Sequence, residues 1–248
     1  MKLEDSSLSK KIFYDSWQNN FFKFSVIFFV FICLFAFIYP EISAIKAEKM
    51  NIKSKFLPPI FFEGFSWTHI LGTDQLGRDM LMRCLVGLRF SLIIGFASVF
   101  IMLLFGCLVG IISGFKSSWV DVIIMRITDA QLSIPMVILA ISILGVSRPN
   151  LASIILVLAL SGWPLYARVS RSMALIERDK EYVRGARILG ANDFRIIFFL
   201  VIPIILPPIA FVSVLDIARM MIFEAILGFL GLGVQPPTPT FGNIIADA

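Results

Sequence analysis

An all-α membrane protein with several spans is the fold class that three features of the sequence predict. Hydrophobic residues make up 58% of the 248 and charged residues only 16%, where soluble domains carry about a quarter charged. Long apolar runs recur with almost no charge inside them, and Lys and Arg collect between the runs. The mean hydropathy is +0.89. A net charge of +5 then reads as basic loops of a membrane protein, so nucleic acid is not an expected partner and membrane lipid is.

Five stretches approach the roughly 20 apolar residues a helix needs to cross the hydrocarbon core. The first, 21–38, has only Lys23 near its start and no small-residue cleavage site, which predicts a retained anchor and not a signal peptide. The second, 90–115, is uncharged between Arg89 and Lys116. The third, 119–146, is expected to kink at Pro135. The fourth, 149–167, lies between Arg148 and Arg168. The fifth, 196–215, tolerates Pro203, Pro207 and Pro208 if neighbours satisfy the freed carbonyls. Lys2, Lys10, Lys11 and Lys23 in the tail, with Arg168, Arg171, Arg178, Lys180, Arg184, Arg187 and Arg195 after the fourth span, predict a cytoplasmic N-terminus. The segment 40–88 would then be external despite six basic residues spread along it.

Catalytic and metal chemistry find no constellation. There is no GxxxxGK[ST], HExxH or GxSxG, and Cys33, Cys84 and Cys107 lie far apart without a CxxC spacing. His69 is the only histidine, and a structural or surface role is expected for it. Gly106, Gly110 and Gly114 share one face of the second span, a spacing that lets helices approach closely, within the chain or against a second membrane subunit. Arg126 and Asp129 are three apart, as are Asp216 and Arg219, so each pair can meet on one helix face, whereas Glu224 has no such local partner. These ionisable residues line a substrate path, are neutralised structurally, or sit near the membrane interface.

The stretch EYVRGARILGANDFR at 181–195 is polar and lies between two apolar runs. Tyr182, Val183, Ala186 and Leu189 fall on one helical side, Gly190 offers a left-handed stop, and Asn192 or Asp193 can cap a new helix. Helix, tight turn, helix is the expected local structure, with Gly185, Ala186, Gly190 and Ala191 allowing close backbone approach. A basic loop lying on anionic lipid would account for the arginines but not for the bend.

Arg184-Gly185-Ala186, three residues, Gly190, nine residues, then Leu200-Val201-Ile202-Pro203 resembles the EAA motif of ABC-importer membrane subunits. Arg184 stands for the usual Glu and Gly185 for the usual Ala; Ala186, Gly190 and Pro203 keep the pattern. LGTDQLGRDMLMRCLVGLRFSLIIG at 71–95, SGWPLYARVSRS at 161–172 and FLGLGVQPPTPTFG at 229–242 are similar to the dipeptide/oligopeptide/nickel permease group. The resemblance covers nearly the whole chain. It implies the type I ABC importer transmembrane fold and a division into 1–86 (tail, first span, external segment) and 87–248 (permease core). It also implies a sixth span beyond 229–242, of which the chain ending at Ala248 shows five, so a truncated C-terminus is expected. The implied function is a permease subunit importing short peptides or similar solutes across a bacterial cytoplasmic membrane. It implies no catalytic residue, cofactor or metal on this chain, with ATP and Mg on cytosolic ABC ATPase subunits. A homologous second permease subunit and an external solute-binding protein are the other implied partners. The ATPase-coupling segment would be 181–203, with Glu181, Tyr182, Arg184, Gly185, Ala186, Gly190, Ala191, Asn192, Asp193 and Pro203. A non-transporting scaffold or decayed permease, and a secondary transporter, are the competing readings.

Overall fold

The structure, a computed structural model, describes residues 17–116, 119–146 and 149–247. Lys2, Lys10, Lys11 and Arg148 lie outside the described residues. Eight helices carry the description: α1 (Asn20–Ile42), α2 (Met80–Lys116), α3 (Trp119–Leu132), α4 (Met136–Leu144), α5 (Leu151–Arg178), α6 (Glu181–Ile188), α7 (Asp193–Phe229) and α8 (Phe241–Asp247). Among the described residues, α1, α2, α5 and α7 are each long and apolar enough to cross a membrane, and the pair α3–α4 makes a fifth if counted as one span. The chain divides into two compact units, with the boundary between Arg89 and Phe90.

In the first unit, α1 starts where the Asn19 side chain accepts from the Phe21 N–H at 2.9 Å. Only Ala36 and Pro40 of this helix are buried, so nearly its whole surface is apolar and exposed, as lipid contact requires. The following loop folds back on itself through Asn51 N to Leu76 O, Phe56 N to Asp74 O, Thr73 N to Leu57 O and Ile60 N to Ile70 O. Gly77, at φ +72°, sits so close to the Asn51 carbonyl that a Cβ would come within 1.8 Å of it. Asp74 gathers the loop: it accepts from the Leu76 and Arg78 backbone N–H groups at 2.9 Å and from Arg78 Nε at 2.6 Å, with Arg83 Nη1 at 3.5 Å. Burial pushes its carboxyl pKa up, but these hydrogen bonds and the Arg78 charge outweigh that, and the net direction is down. His69 ties the loop to the start of α2 through Nδ1 and Asp79 Oδ2 at 2.8 Å.

In the second unit, α2 and α5 pack with their backbones nearly touching. A Cβ on Gly106 would fall 2.6 Å from the Trp163 carbonyl; on Gly110, 2.1 Å from Ser170 Oγ; on Gly114, 2.7 Å from the Arg171 carbonyl. The stripe therefore meets a helix of the same chain. Asn150 and Ser153 form a reciprocal cap at the start of α5, both bonds 2.8 Å. Pro164 has no N–H to give Leu160 O, and the Gln131 side chain of α3 donates to that carbonyl instead, while Trp163 Nε1 donates to Gln131 Oε1 at 3.0 Å.

The kink expected at Pro135 within 119–146 is an 84° break between two helices, α3 and α4. Pro135, at the N-cap of α4, has no N–H to continue α3, and Ser133 and Ile134 close the last turn onto Asp129 O and Gln131 O. The fourth and fifth spans run longer than the apolar windows expected at 149–167 and 196–215, because charged residues beyond those windows continue the helices. In α7 the segment Ile197–Val201 is π-helical, directly before Pro203, whose missing N–H leaves the Phe199 carbonyl without its ordinary donor. One stripe of α7 is buried, Ile205, Ile209, Ser213, Asp216, Met220, Glu224 and Leu227. α8 folds back onto the end of α7, where a Cβ on Gly242 would lie 2.5 Å from Ala225 O.

Replacing Gly110 by Val should cost about 2–3 kcal/mol through forced separation of α2 and α5, read as a fall in thermal unfolding temperature in mild detergent. Gly185→Ala, with nothing within 4 Å of the new Cβ, should instead stabilise by about 0.5–1 kcal/mol. For the first unit, the lowered Asp74 pKa means its contribution is present above the ordinary carboxylate value of about 4 and fades as pH falls through the folded value. Asp74→Asn should cost about 1–3 kcal/mol at neutral pH, and its penalty should shrink on acidification in the same melting experiment.

Candidate functional site

Residues 181–203 join α5 to α7. The helix α6 begins immediately after Lys180, with Glu181 in its first turn and Arg187 in its last, each sign favourable to the helix dipole. It is amphipathic: Val183 is wholly buried, worth about 2 kcal/mol, and Tyr182 and Ala186 pack partly against the same core. Tyr182 Oη donates to Glu177 Oε2 of α5 at 2.6 Å. Burial, then the neighbouring carboxylate, pushes the Tyr182 hydroxyl pKa up, so it remains a donor at neutral pH.

Gly190 follows with φ +84°, and the Ala191 N–H returns to Ala186 O at 3.0 Å. These are the marks of a left-handed helix stop. Asn192 caps the next helix by accepting from Arg195 N at 2.9 Å, and Asp193 stands in its first turn. The order expected from the residues, helix, glycine turn, capped helix, is the order found.

The bend leaves apolar side chains in the open. Ile188 is 87% exposed and Leu189 88%. Leu189 also borders a mainly apolar groove, with Ala186, Ala191, Ile196, Phe199 and Leu200 and with Arg195 as its charged member. Arg184 is exposed on the same short helix. Pro203 lies outside this groove, within the first turns of Ile202–Phe229.

Behind the segment, cationic side chains of α5 lock onto its neighbours. Arg171 donates Nε and Nη2 to the two oxygens of Asp121 at 2.5 and 2.6 Å, and Ser113 Oγ of α2 joins the same carboxylate at 2.5 Å. Arg178 Nη1 donates to Gly114 O at 3.1 Å, in the last turn of α2. Arg168 pairs with Asp129 at 2.5 Å. The expected Arg126–Asp129 pair is thereby corrected: Arg126 is exposed and Asp129 takes its partner from α5. A short Asp reaches a facing helix as easily as its own, and the packing of α3 against α5 brings Arg168 into range.

Asp216 and Arg219 do meet, at 3.3 Å, with the Asp buried and the guanidinium 46% exposed. Tyr166 of α5 lies against Ser213 and Asp216. Glu224 is wholly buried and accepts from Ser91 Oγ of α2 at 2.8 Å, a partner 133 positions away that helical spacing could not reveal. Asp121 and Gln131 were not singled out from the sequence, and Arg171 and Arg178 were read only as basic residues of the loop after the fourth span. Their signal is the spacing of Arg168, Arg171 and Arg178 along one side of α5, matched by Asp121 and Asp129 two turns apart on α3.

A multi-pass helical membrane chain without a nucleotide loop, presenting a capped helical bend with bare apolar residues, has the build of a transporter's membrane-embedded subunit. The chain belongs to the family of binding-protein-dependent transport system inner membrane components, which residues 106–248 match, and it is a permease subunit of the ABC-importer class. It is 33% identical over 231 residues to the dipeptide transport system permease protein of Haemophilus influenzae, covering 93% of this chain and 78% of that one. It is 34% identical to the di/tripeptide transport system permease of Pseudomonas aeruginosa, covering 96% and 79%. It is 37% identical to the glutathione transport system permease of Pectobacterium atrosepticum, covering 75% and 62%. Its fold is shared with a chain of the MetNI methionine ABC transporter in an inward-facing conformation, at TM-score 0.57 and 21% identity, over 66% of this chain and 79% of that one.

Proposed function

We propose that this permease subunit imports short peptides, or small solutes of similar size, across a bacterial cytoplasmic membrane. A homologous second permease subunit completes the pathway, an external solute-binding protein delivers the cargo, and cytosolic ATPases holding ATP and Mg drive the cycle. The N-terminus and the 181–203 segment face the cytoplasm. The peptide class follows the names of the related permeases, for dipeptides, di/tripeptides and glutathione.

The observation that carries the reading is the bend at Gly190. A polar, membrane-flanking helix end exposes Ile188 and Leu189 almost fully, which water disfavours and a protein cleft would cover. The density of Arg and Lys between Arg168 and Arg195 supports the cytoplasmic side. Asp216, Arg219 and Glu224 supply polar groups within α7, where ionisable residues commonly border a solute path. The Gly106–Gly110–Gly114 stripe lies against α5, which favours packing within the chain over a contact with the second subunit. The exposed side of α7, with Phe211, Val214, Leu215 and Ile222, is the surface offered to that subunit.

The test is capture of a P-loop ATPase by the purified subunit and uptake by reconstituted vesicles. Gly190→Val should lower ATPase capture at least roughly tenfold, because a β-branched residue at positive φ is strained and reopens the bend. Uptake should stop when ATP is withheld and persist when ion gradients are collapsed. Uptake that follows an ion gradient without ATP would establish a secondary transporter instead, and ATPase capture without any uptake would establish a scaffold.

A further inference from the structure

We propose that Arg187 is a positioning residue that ties the short helix α6 to two membrane helices at once. This deepens the coupling reading and rests on it. Val183 seats α6 in the core, and Tyr182 binds it back to Glu177 of α5, the helix that directly precedes it. Arg187 reaches forward and across. Its guanidinium lies over the Phe115 ring in the last turn of α2, 5.3 Å from the centroid, and its Nη2 stands 3.5 Å from Asp193 Oδ1 in the first turn of α7.

The ring beneath it is fixed, since Phe115 is buried in the core with only 6% exposure. The same last turn of α2 is also held by Arg178, which donates to Gly114 O. A cation is drawn to the face of an aromatic ring and not to its edge, so the contact holds Arg187 to the position and orientation of the Phe115 ring. Gly190, with nothing within 4 Å of where a Cβ would stand, lets α6 tilt against α7. Arg187 is the side chain that limits that tilt and passes it to α2. Without it, α6 can still be held by an ATPase, but its displacement is absorbed at the glycine turn.

The residue therefore separates docking from transmission. In the reconstituted transporter with its ATPases and binding protein, Arg187→Gln should leave ATPase capture and ATP turnover within roughly twofold of wild type while uptake per ATP falls roughly three- to tenfold. Phe115→Leu, which keeps an apolar side chain but removes the ring face, should give the same split. Arg187→Lys and Phe115→Tyr should each recover most of the ratio, and Arg187→Gln with Phe115→Leu should be no worse than either alone. If Arg187→Gln fails to fold, judged by its melting curve, Phe115→Leu decides the matter. An unchanged uptake-to-ATP ratio in Phe115→Leu overturns the proposal, as does parallel loss of ATPase capture in Arg187→Gln. Failure of the wild-type subunit to capture any ATPase would remove the coupling reading itself, an outcome distinct from an intact wild type with an indifferent Arg187.

Discussion

The close approach of α2 and α5 is the constraint on which the second unit depends. Apolar surfaces gain nothing by associating in lipid, so helices must be held by contact, hydrogen bonds and shape. Three glycines four residues apart on α2 let the backbone of α5 come so near that the carbonyls of Trp163, Ala167 and Arg171 lie where side chains would otherwise stand. That proximity sets the position of everything else on α5. Arg171 and Arg168 reach α3, Arg178 reaches the end of α2, and Tyr166 faces the buried stripe of α7.

A second demand shapes the same helices: backbone groups away from water must find partners inside the protein. Proline breaks that arrangement at several positions, and at Pro164, Pro135 and Pro203 the answers differ. At Pro164 the freed Leu160 carbonyl is taken by the Gln131 side chain, which also accepts from Trp163. At Pro135 the helix stops and turns through 84°. Before Pro203 the helix widens into a π-helical segment. The three responses explain why proline spacing alone does not say whether a span continues.

Much of this was legible in the residues. Uncharged runs located the spans, and the order of Val183, Gly190 and Asn192 located the bend, because local propensity and capping act over a few residues. Partners across helices were not legible, since they depend on which faces meet. Asp129 and Arg126 have suitable spacing, yet Asp129 pairs with Arg168; Glu224 looked solitary, yet Ser91 donates to it. The bend at Pro135 was anticipated as a kink within one span, but its size reflects how Ser133 and Ile134 close the turn. The paired charges on α3 and α5 were visible only as separate basic and acidic residues, because nothing local says that these two helices pack against each other.

The two ends of α6 are held by different kinds of contact, and that difference gives the segment its mechanical character. At its start, Val183 is enclosed in the core, so moving it requires repacking of close-fitted side chains. At its end, the turn is closed by local backbone bonds, Ala191 N to Ala186 O and the Asn192 cap, with open space around Gly190. A load applied to the exposed Ile188 and Leu189 therefore meets a stiff seat on one side and a compliant joint on the other. A helix held in this way rotates about its buried end. The guanidinium of Arg187, lying between Phe115 and Asp193, spans that joint and is placed to carry the rotation into the membrane helices.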